Sequence, residues 1–320
     1  MRGFPFLLAA LAVAAAVFLA ARVTNNGYVF FAGYVVLQYI VMATGWNILG
    51  GYTGYVNFGT AGFFALGAYC TIALEKLAPL PLPVVMAAGG IVAGTLGLGM
   101  GYLTLRLRGA FFSIATLAMA VVAQTFMVNW NFVGGAAGAY VIRPATTAWF
   151  GIDYIRYLFL LMLGLAVLSV AVARLIERSR LGDGFAAIRD DELAAEAAGV
   201  PTLRLKLFDT ALSGAFLGMA GAPMPYYVTY LDPSSAFSLA YAVNTIAMPL
   251  IGGTASWPGP LIGAVLISVL QQLATVTISS AVNLLIVGLV LVGFVIAAPR
   301  GIIGWFGLDR RRRARAGRRP

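Results

Sequence analysis

The side chains able to do chemistry in this sequence fall into two groups. One is Arg189, Asp190, Asp191 and Glu192, followed closely by Ala195, Glu196, Ala198 and Gly199. Carboxylates ahead of an alanine run cap and charge the start of a helix, and Gly199 with Pro201 stops it, so the spacing predicts a surface helix of about two to three turns. The other group is Asn47, Thr53, Asn57 and Thr60, set among Gly50, Gly51, Gly54 and Gly59, with a counterpart far downstream in Thr254 and Ser256 beside Gly252, Gly253 and Pro258. Amides and hydroxyls at breaks in apolar segments can hold a polar solute, helped by the backbone groups that a broken helix frees.

What the sequence lacks narrows the chemistry further. It has no histidine and one cysteine, Cys70, which excludes His-based metal sites, His general bases, His triads and an intrachain disulfide. No catalytic residue and no metal site is therefore assigned. Lys76 and Lys206 are the only lysines and neither follows a glycine, so no phosphate-cradling loop is present; Gly97-Leu98-Gly99-Met100-Gly101 lies inside an apolar run, not after a strand. The chain is expected to bind no cofactor of its own. Its net charge of +10 could suggest nucleic acid, yet Arg310, Arg311, Arg312, Arg313, Arg315, Arg318 and Arg319 crowd the C-terminus. That placement reads as a disordered cytoplasmic tail, residues 306–320, facing anionic membrane lipid, with no nucleic-acid partner.

The elements that must position these groups are membrane helices. Of 320 residues, 61% are hydrophobic and 10% charged, more apolar than one soluble core can absorb. Only helices or closed barrels satisfy their backbone in lipid, and long continuous apolar runs mean helices. Runs at 5–22, 28–50, 61–78, 82–105, 109–130, 154–175, 207–228, 238–252, 258–278 and 283–299 give about ten spans. The first run resembles a secretory signal and is read as a retained helix. The fold class is thus all-α, a polytopic transmembrane bundle over residues 1–305, with a polar loop at 178–206 and another at 131–153.

Orientation follows from the basic residues, which stay on the cytoplasmic side. With both termini inside, all but four of the 21 Lys and Arg residues are cytoplasmic, the exceptions being Arg22, Lys76, Arg143 and Arg156. The loop at 178–206 is then cytoplasmic and the chain is multi-pass in the inner, or plasma, membrane. Its short helix is marginal in water and wants a partner to dock into, with Glu192 and Glu196 one turn apart as anchoring charges. Gly97 with Gly101, and Gly214 with Gly218, are read as helix-packing pairs.

The run from Ala187 to Gly199, Ala-Ile-Arg-Asp-Asp-Glu-Leu-Ala-Ala-Glu-Ala-Ala-Gly, closely resembles the coupling-loop signature of the branched-chain amino acid permeases of ABC importers, the LivH/LivM family, and specifically its LivM side. Asn47 to Gly54 with Phe58-Gly59 and Gly67-Ala68-Tyr69, Leu105 to Leu117, Ile251 to Thr254 with Trp257 and Gly259-Pro260, and Pro299-Arg300-Gly301 are similar to other landmarks of the family. The resemblance implies a permease subunit carrying branched-chain or related small amino acids. It implies as partners a LivH-like second permease subunit, two LivG/LivF-like ATP-binding subunits holding ATP and Mg, and a periplasmic solute-binding protein. It further implies that Arg189, Asp190, Asp191, Glu192, Ala195, Glu196, Ala198 and Gly199 couple to the ATPase.

One departure stands out. Where members of the family commonly show Gly-Gln-Leu-Ser-Leu-Gly-His, this chain has Gly54-Tyr55-Val56-Asn57-Phe58-Gly59-Thr60. Urea, short amides or aromatic compounds are the alternative cargoes. An ion-coupled secondary transporter, the main rival class, would need ionisable groups at mid-membrane, whereas Glu75, Asp153, Asp209 and Asp232 all fall at predicted span ends. A membrane-embedded enzyme has little to work with, and a channel leaves the docking helix without a purpose.

Overall fold

The computed structural model describes residues 27–78, 80–104, 109–147, 152–254, 256–277 and 301–305, with residues 19, 107, 288–289 and 292–293. Most of the predicted runs at 5–22 and 283–299, the tail 306–320, and Arg106, Arg108, Ala255 and Arg300 lie outside the described residues.

Helices dominate, and their ends fall where the sequence changes chemistry. In chain order they are α1 (Gly27–Asn47), running on into a π-helical turn (Ile48–Tyr52), α2 (Thr60–Leu77), α3 (Leu82–Thr104), α4 (Ala110–Asn129) and α5 (Tyr154–Glu177). Then come α6 (Arg180–Asp190), α7 (Glu192–Ala197), α8 (Thr202–Gly221), α9 (Met224–Val228), α10 (Pro233–Ala236), α11 (Leu239–Gly252), α12 (Pro258–Thr277) and α13 (Gly301–Trp305).

Six of these segments are long and apolar enough to cross a bilayer among the described residues: α1 with its π-turn, α3, α4, α5, α10 joined to α11, and α12. The more polar α2 and α8 also occupy predicted runs and pack between the others. The run expected at 207–228 is shifted, since α8 begins at Thr202 and ends at Gly221. Arg204 and Lys206 led the sequence reading to start the span late. In the structure Lys206 and Asp209 are buried with partners, and Pro223 ends the continuous helix.

Backbone closeness holds the centre together. A Cβ placed on Gly67 of α2 would collide with the Gly218 carbonyl of α8, and one on Gly221 would collide with the Phe64 carbonyl. A Cβ on Gly214 would lie 3.0 Å from the Ala93 carbonyl oxygen of α3, and one on Gly97 would lie 3.1 Å from that of Thr210. Lipid tails offer helices no hydrophobic drive to associate, so dispersion between bare backbones takes its place, as read for both glycine pairs. A second such contact joins α11 to α12, where Gly252 meets the Gly259 carbonyl and Gly263 that of Met248.

At the far end of the bundle from the 178–206 loop, β1 (Ala139–Tyr140) pairs antiparallel with β2 (Tyr230–Leu231), Ala139 opposite Leu231. This clasp ties the α4–α5 connection to the segment after α9. Val141 N–H extends it to the Thr229 carbonyl at 2.8 Å.

Candidate functional site

The loop between α5 and α8 is not the single helix expected from its acidic start. It is two helices, broken at Asp191. Ser179 accepts the Leu181 amide to open α6, and Asp191, extended at φ −160° and ψ 109°, accepts the amides of Leu193 and Ala194 at 2.9 and 3.1 Å to open α7. Asp190 therefore ends α6 instead of starting the second helix. Gly199, at φ +85°, turns the chain out of α7 in the left-handed region, and Pro201 follows before α8 begins.

The loop is fastened to the bundle along one side. Lys206, buried at the start of α8, meets Glu192 Oε1 at 2.6 Å, and the Tyr55 hydroxyl donates to Glu192 Oε2 at 2.5 Å. The ammonium also sits 5.0 Å from the Tyr55 ring centroid. Glu192 is thus turned inward, and is not the outward anchoring charge that the sequence suggested. Arg189 donates to the Gly51 carbonyl in the π-turn at 3.2 Å, and its stem packs on Gly54. Glu196 accepts the Thr202 hydroxyl at 2.6 Å. Ala195 is buried against the bundle, while Asp191, Leu193, Ala194, Glu196, Ala197, Ala198 and Gly199 form the exposed face.

The second group of candidates sits at the same end. Its two chain breaks are the connections α1–α2 and α11–α12, and they lie side by side: a Cβ on Gly51 would strike both Asn47 Oδ1 and the Thr254 carbonyl. Asn47 and Thr60 are fully buried, and among the described residues the Asn47 amide and Thr60 hydroxyl have no hydrogen-bond partner. Asn57 is a turn residue, its Oδ1 accepting the Gly59 amide at 2.7 Å and its carbonyl accepting Trp46 Nε1 at 2.9 Å. Thr53 bonds to the Leu49 carbonyl and to Asp209. Thr254 and Ser256 are half-buried. A cleft of about 380 Å³ opens between the two groups, lined by Gly54, Tyr55, Ser113, Ile188, Arg189 and Glu192.

Two residues escaped the sequence reading. Asp209, placed there at a span end, has no exposed surface and lies two turns inside α8. Glu177, at the end of α5, accepts the Trp257 amide at 2.5 Å and the Tyr52 hydroxyl at 3.4 Å, joining α5 to both connections. The signal for Asp209 was its spacing: it follows Lys206 by one turn on a helix face that also carries Thr202, Thr210 and Ser213, all of them buried.

Residues 28–295 match the model of the family described as branched-chain amino acid transport system, permease component. The chain belongs to that family. It is 28% identical to the LivM high-affinity branched-chain amino acid transport permeases of Salmonella typhimurium and Escherichia coli K12, over 83% of this chain and 67% of theirs. It is 25% identical to a LivH permease protein of Methanocaldococcus jannaschii, over 85% of this chain and 90% of that one. No solved structure matches it.

Within this permease, the segment from Gly54 to Thr60 has a definite place. Gly54 carries the Arg189 stem, Tyr55 grips Glu192, and the Val56 carbonyl accepts the Ser113 hydroxyl at 2.8 Å. Gly54 and Tyr55 of the permease thus hold the loop, and Val56 ties the same segment to α4.

Proposed function

We propose that this permease is one membrane-spanning subunit of an ATP-driven importer for branched-chain or related small amino acids, and that α7 is where an ATP-binding subunit grips it. One observation carries the reading. A six-residue helix, too short to persist alone, is capped by Asp191 and stapled on its inner side by Glu192, Lys206 and Tyr55, leaving Leu193, Ala194, Ala197 and Ala198 outward. Small outward residues permit the close approach that a helix lying in a partner's groove requires.

In this reading the loop end is cytoplasmic, a homologous permease subunit completes the passage, and a periplasmic binding protein delivers cargo to the end that carries the β clasp. ATP and Mg are held by the partner subunits. Closure of those subunits pulls on α7, and the pull reaches α1 through Arg189 and Gly51, and α8 through Glu192 and Lys206. The polar atoms of Asn47 and Thr60, with Thr254 and Ser256 nearby, are the candidates for meeting the solute. The cargo rests on the names of the similar permeases.

A crosslinker placed at Ala194 or Ala197, both exposed, tests the grip; buried Ala195 is unsuitable. The full complex in membranes is expected to yield an adduct with the ATP-binding subunit, and Leu193→Asp is expected to stop ATP-dependent uptake while the bundle stays folded. Adducts with no ATPase, or normal uptake by Leu193→Asp, would overturn the assignment.

A further inference from the structure

Thr53 Oγ1 lies 2.8 Å from Asp209 Oδ2 and 2.6 Å from the Leu49 carbonyl oxygen. Three oxygens in a row need two hydrogens. The hydroxyl supplies one and the backbone carbonyl supplies none. Both separations are those of full O–H···O bonds, whereas one hydrogen divided between two acceptors lengthens and weakens at least one contact. The second hydrogen has one place to reside, the carboxyl group.

The surroundings point the same way. Asp209 has no exposed surface and, among the described residues, its Oδ1 has no hydrogen-bond partner, so an ionised carboxylate here would hold its charge on the Thr53 contact alone. The charged groups nearby are committed elsewhere. Lys206, one turn earlier on α8, binds Glu192; Arg189 on α6 donates to Gly51; Glu177 on α5 accepts from Trp257 and Tyr52. The sequences of α1, the π-turn and α3 contain no charged residue, and those of α2, Glu75 and Lys76, lie at its other end.

We propose that Asp209 is a proton-binding site, a neutral carboxylic acid that donates to Thr53, whose hydroxyl donates in turn to Leu49. The proton is then a ligand of the conformation in which the π-turn is docked on α8. A pull on the loop that draws Thr53 away admits water, and the acid ionises by giving its proton to solvent. Because the proton binds the docked arrangement, acid favours docking and alkali favours release. The protonated acid rests on hydrogen-bond geometry alone, and its release by a pull on the loop rests on the docking role proposed for α7.

Infrared spectra of the purified full-length chain at neutral pH, wild type minus Asp209→Asn, test it directly. A protonated-carboxyl C=O band that shifts in D₂O is expected in the wild type and lost in the variant. Asp209→Asn, whose amide can donate to Thr53, is expected to unfold at the wild-type temperature, while Asp209→Ala unfolds earlier. Cleavage of the 178–206 loop by protease should rise with pH in the wild type and stay flat in Asp209→Asn. The proposal is overturned by absence of the band, by Asp209→Asn proving as damaging as Asp209→Ala, or by sodium raising the unfolding temperature of the wild type alone, which would make the ligand a metal cation.

Discussion

Lys206 and Glu192 meet at 2.6 Å across the loop turn, one on the first turns of α8 and the other on the first residue of α7. Their side chains are 4% and 13% exposed, so each relies on the other, and on the Tyr55 hydroxyl that bonds to both, in place of water. Removing one partner of a buried pair costs about 3–5 kcal/mol, and somewhat less here because Glu192 keeps some water, roughly 2–4 kcal/mol. Lys206→Met should therefore free the loop, read as faster proteolysis between Arg178 and Lys206. The double variant Lys206→Met, Glu192→Met should recover much of the loss, since both charges leave together. A double variant no better than the single would show that the pair holds nothing.

The contrast between two glycines makes a sharper structural test. Gly67→Ala drives a methyl into the Gly218 carbonyl, and neither backbone can retreat without moving α2 from α8. A loss of about 3 kcal/mol or more is expected, seen as a lower unfolding temperature in detergent. Among the described residues nothing lies within 4 Å of a would-be Cβ on Gly99 of α3, so Gly99→Ala should be neutral or raise stability by up to about 1 kcal/mol through helix propensity.

These two contacts also show what the sequence could and could not disclose. The apolar runs are legible because lipid forces the backbone to satisfy itself, and six of the expected spans meet the length and composition test in the described residues. Gly97, Gly214 and Gly218 announce packing by spacing alone. The chain breaks at Gly54–Gly59 and Gly252–Gly253 were legible as breaks, but hydropathy holds no information on depth, so their meeting at one end of the bundle was not. Glu192 and Asp209 were misplaced for a shared reason: a charge in sequence reads as exposed unless its partner is known, and Lys206, Tyr55 and Thr53 are partners only in three dimensions.

Asp191 should govern α7 out of proportion to its own exposure. Its carboxylate takes two of the amides that the helix start leaves open, and a helix of six residues has few other bonds. Asp191→Ala is expected to cost about 1 kcal/mol of local stability, which speeds hydrogen exchange of the Ala194 and Ala195 amides by about fivefold. Asp191→Asn, an equally good cap, should restore protection. Equal exchange in all three proteins would mean that docking against Lys206 and Tyr55 alone sets the helix.

Asp232 sets a pH limit at the opposite end. It caps α10, accepting the Ser234 hydroxyl and the Ser235 amide and hydroxyl, the last two at 3.0 and 2.8 Å. The Ser234 hydrogen bond is the largest cause holding its carboxyl below the ordinary range; burial, the next largest, opposes it, and the Ser235 hydrogen bonds add to the lowering. A carboxyl lowered on folding binds its proton more readily when unfolded. Its stabilising share is therefore complete above the unfolded value near pH 4 and is lost as pH falls through the lower folded value. The turn between β2 and α11 should loosen with acid, read as a drop in unfolding temperature below about pH 4 that is shallower in Asp232→Asn, since asparagine caps without titrating. An identical acid limb in the two proteins would place that loss on other carboxylates.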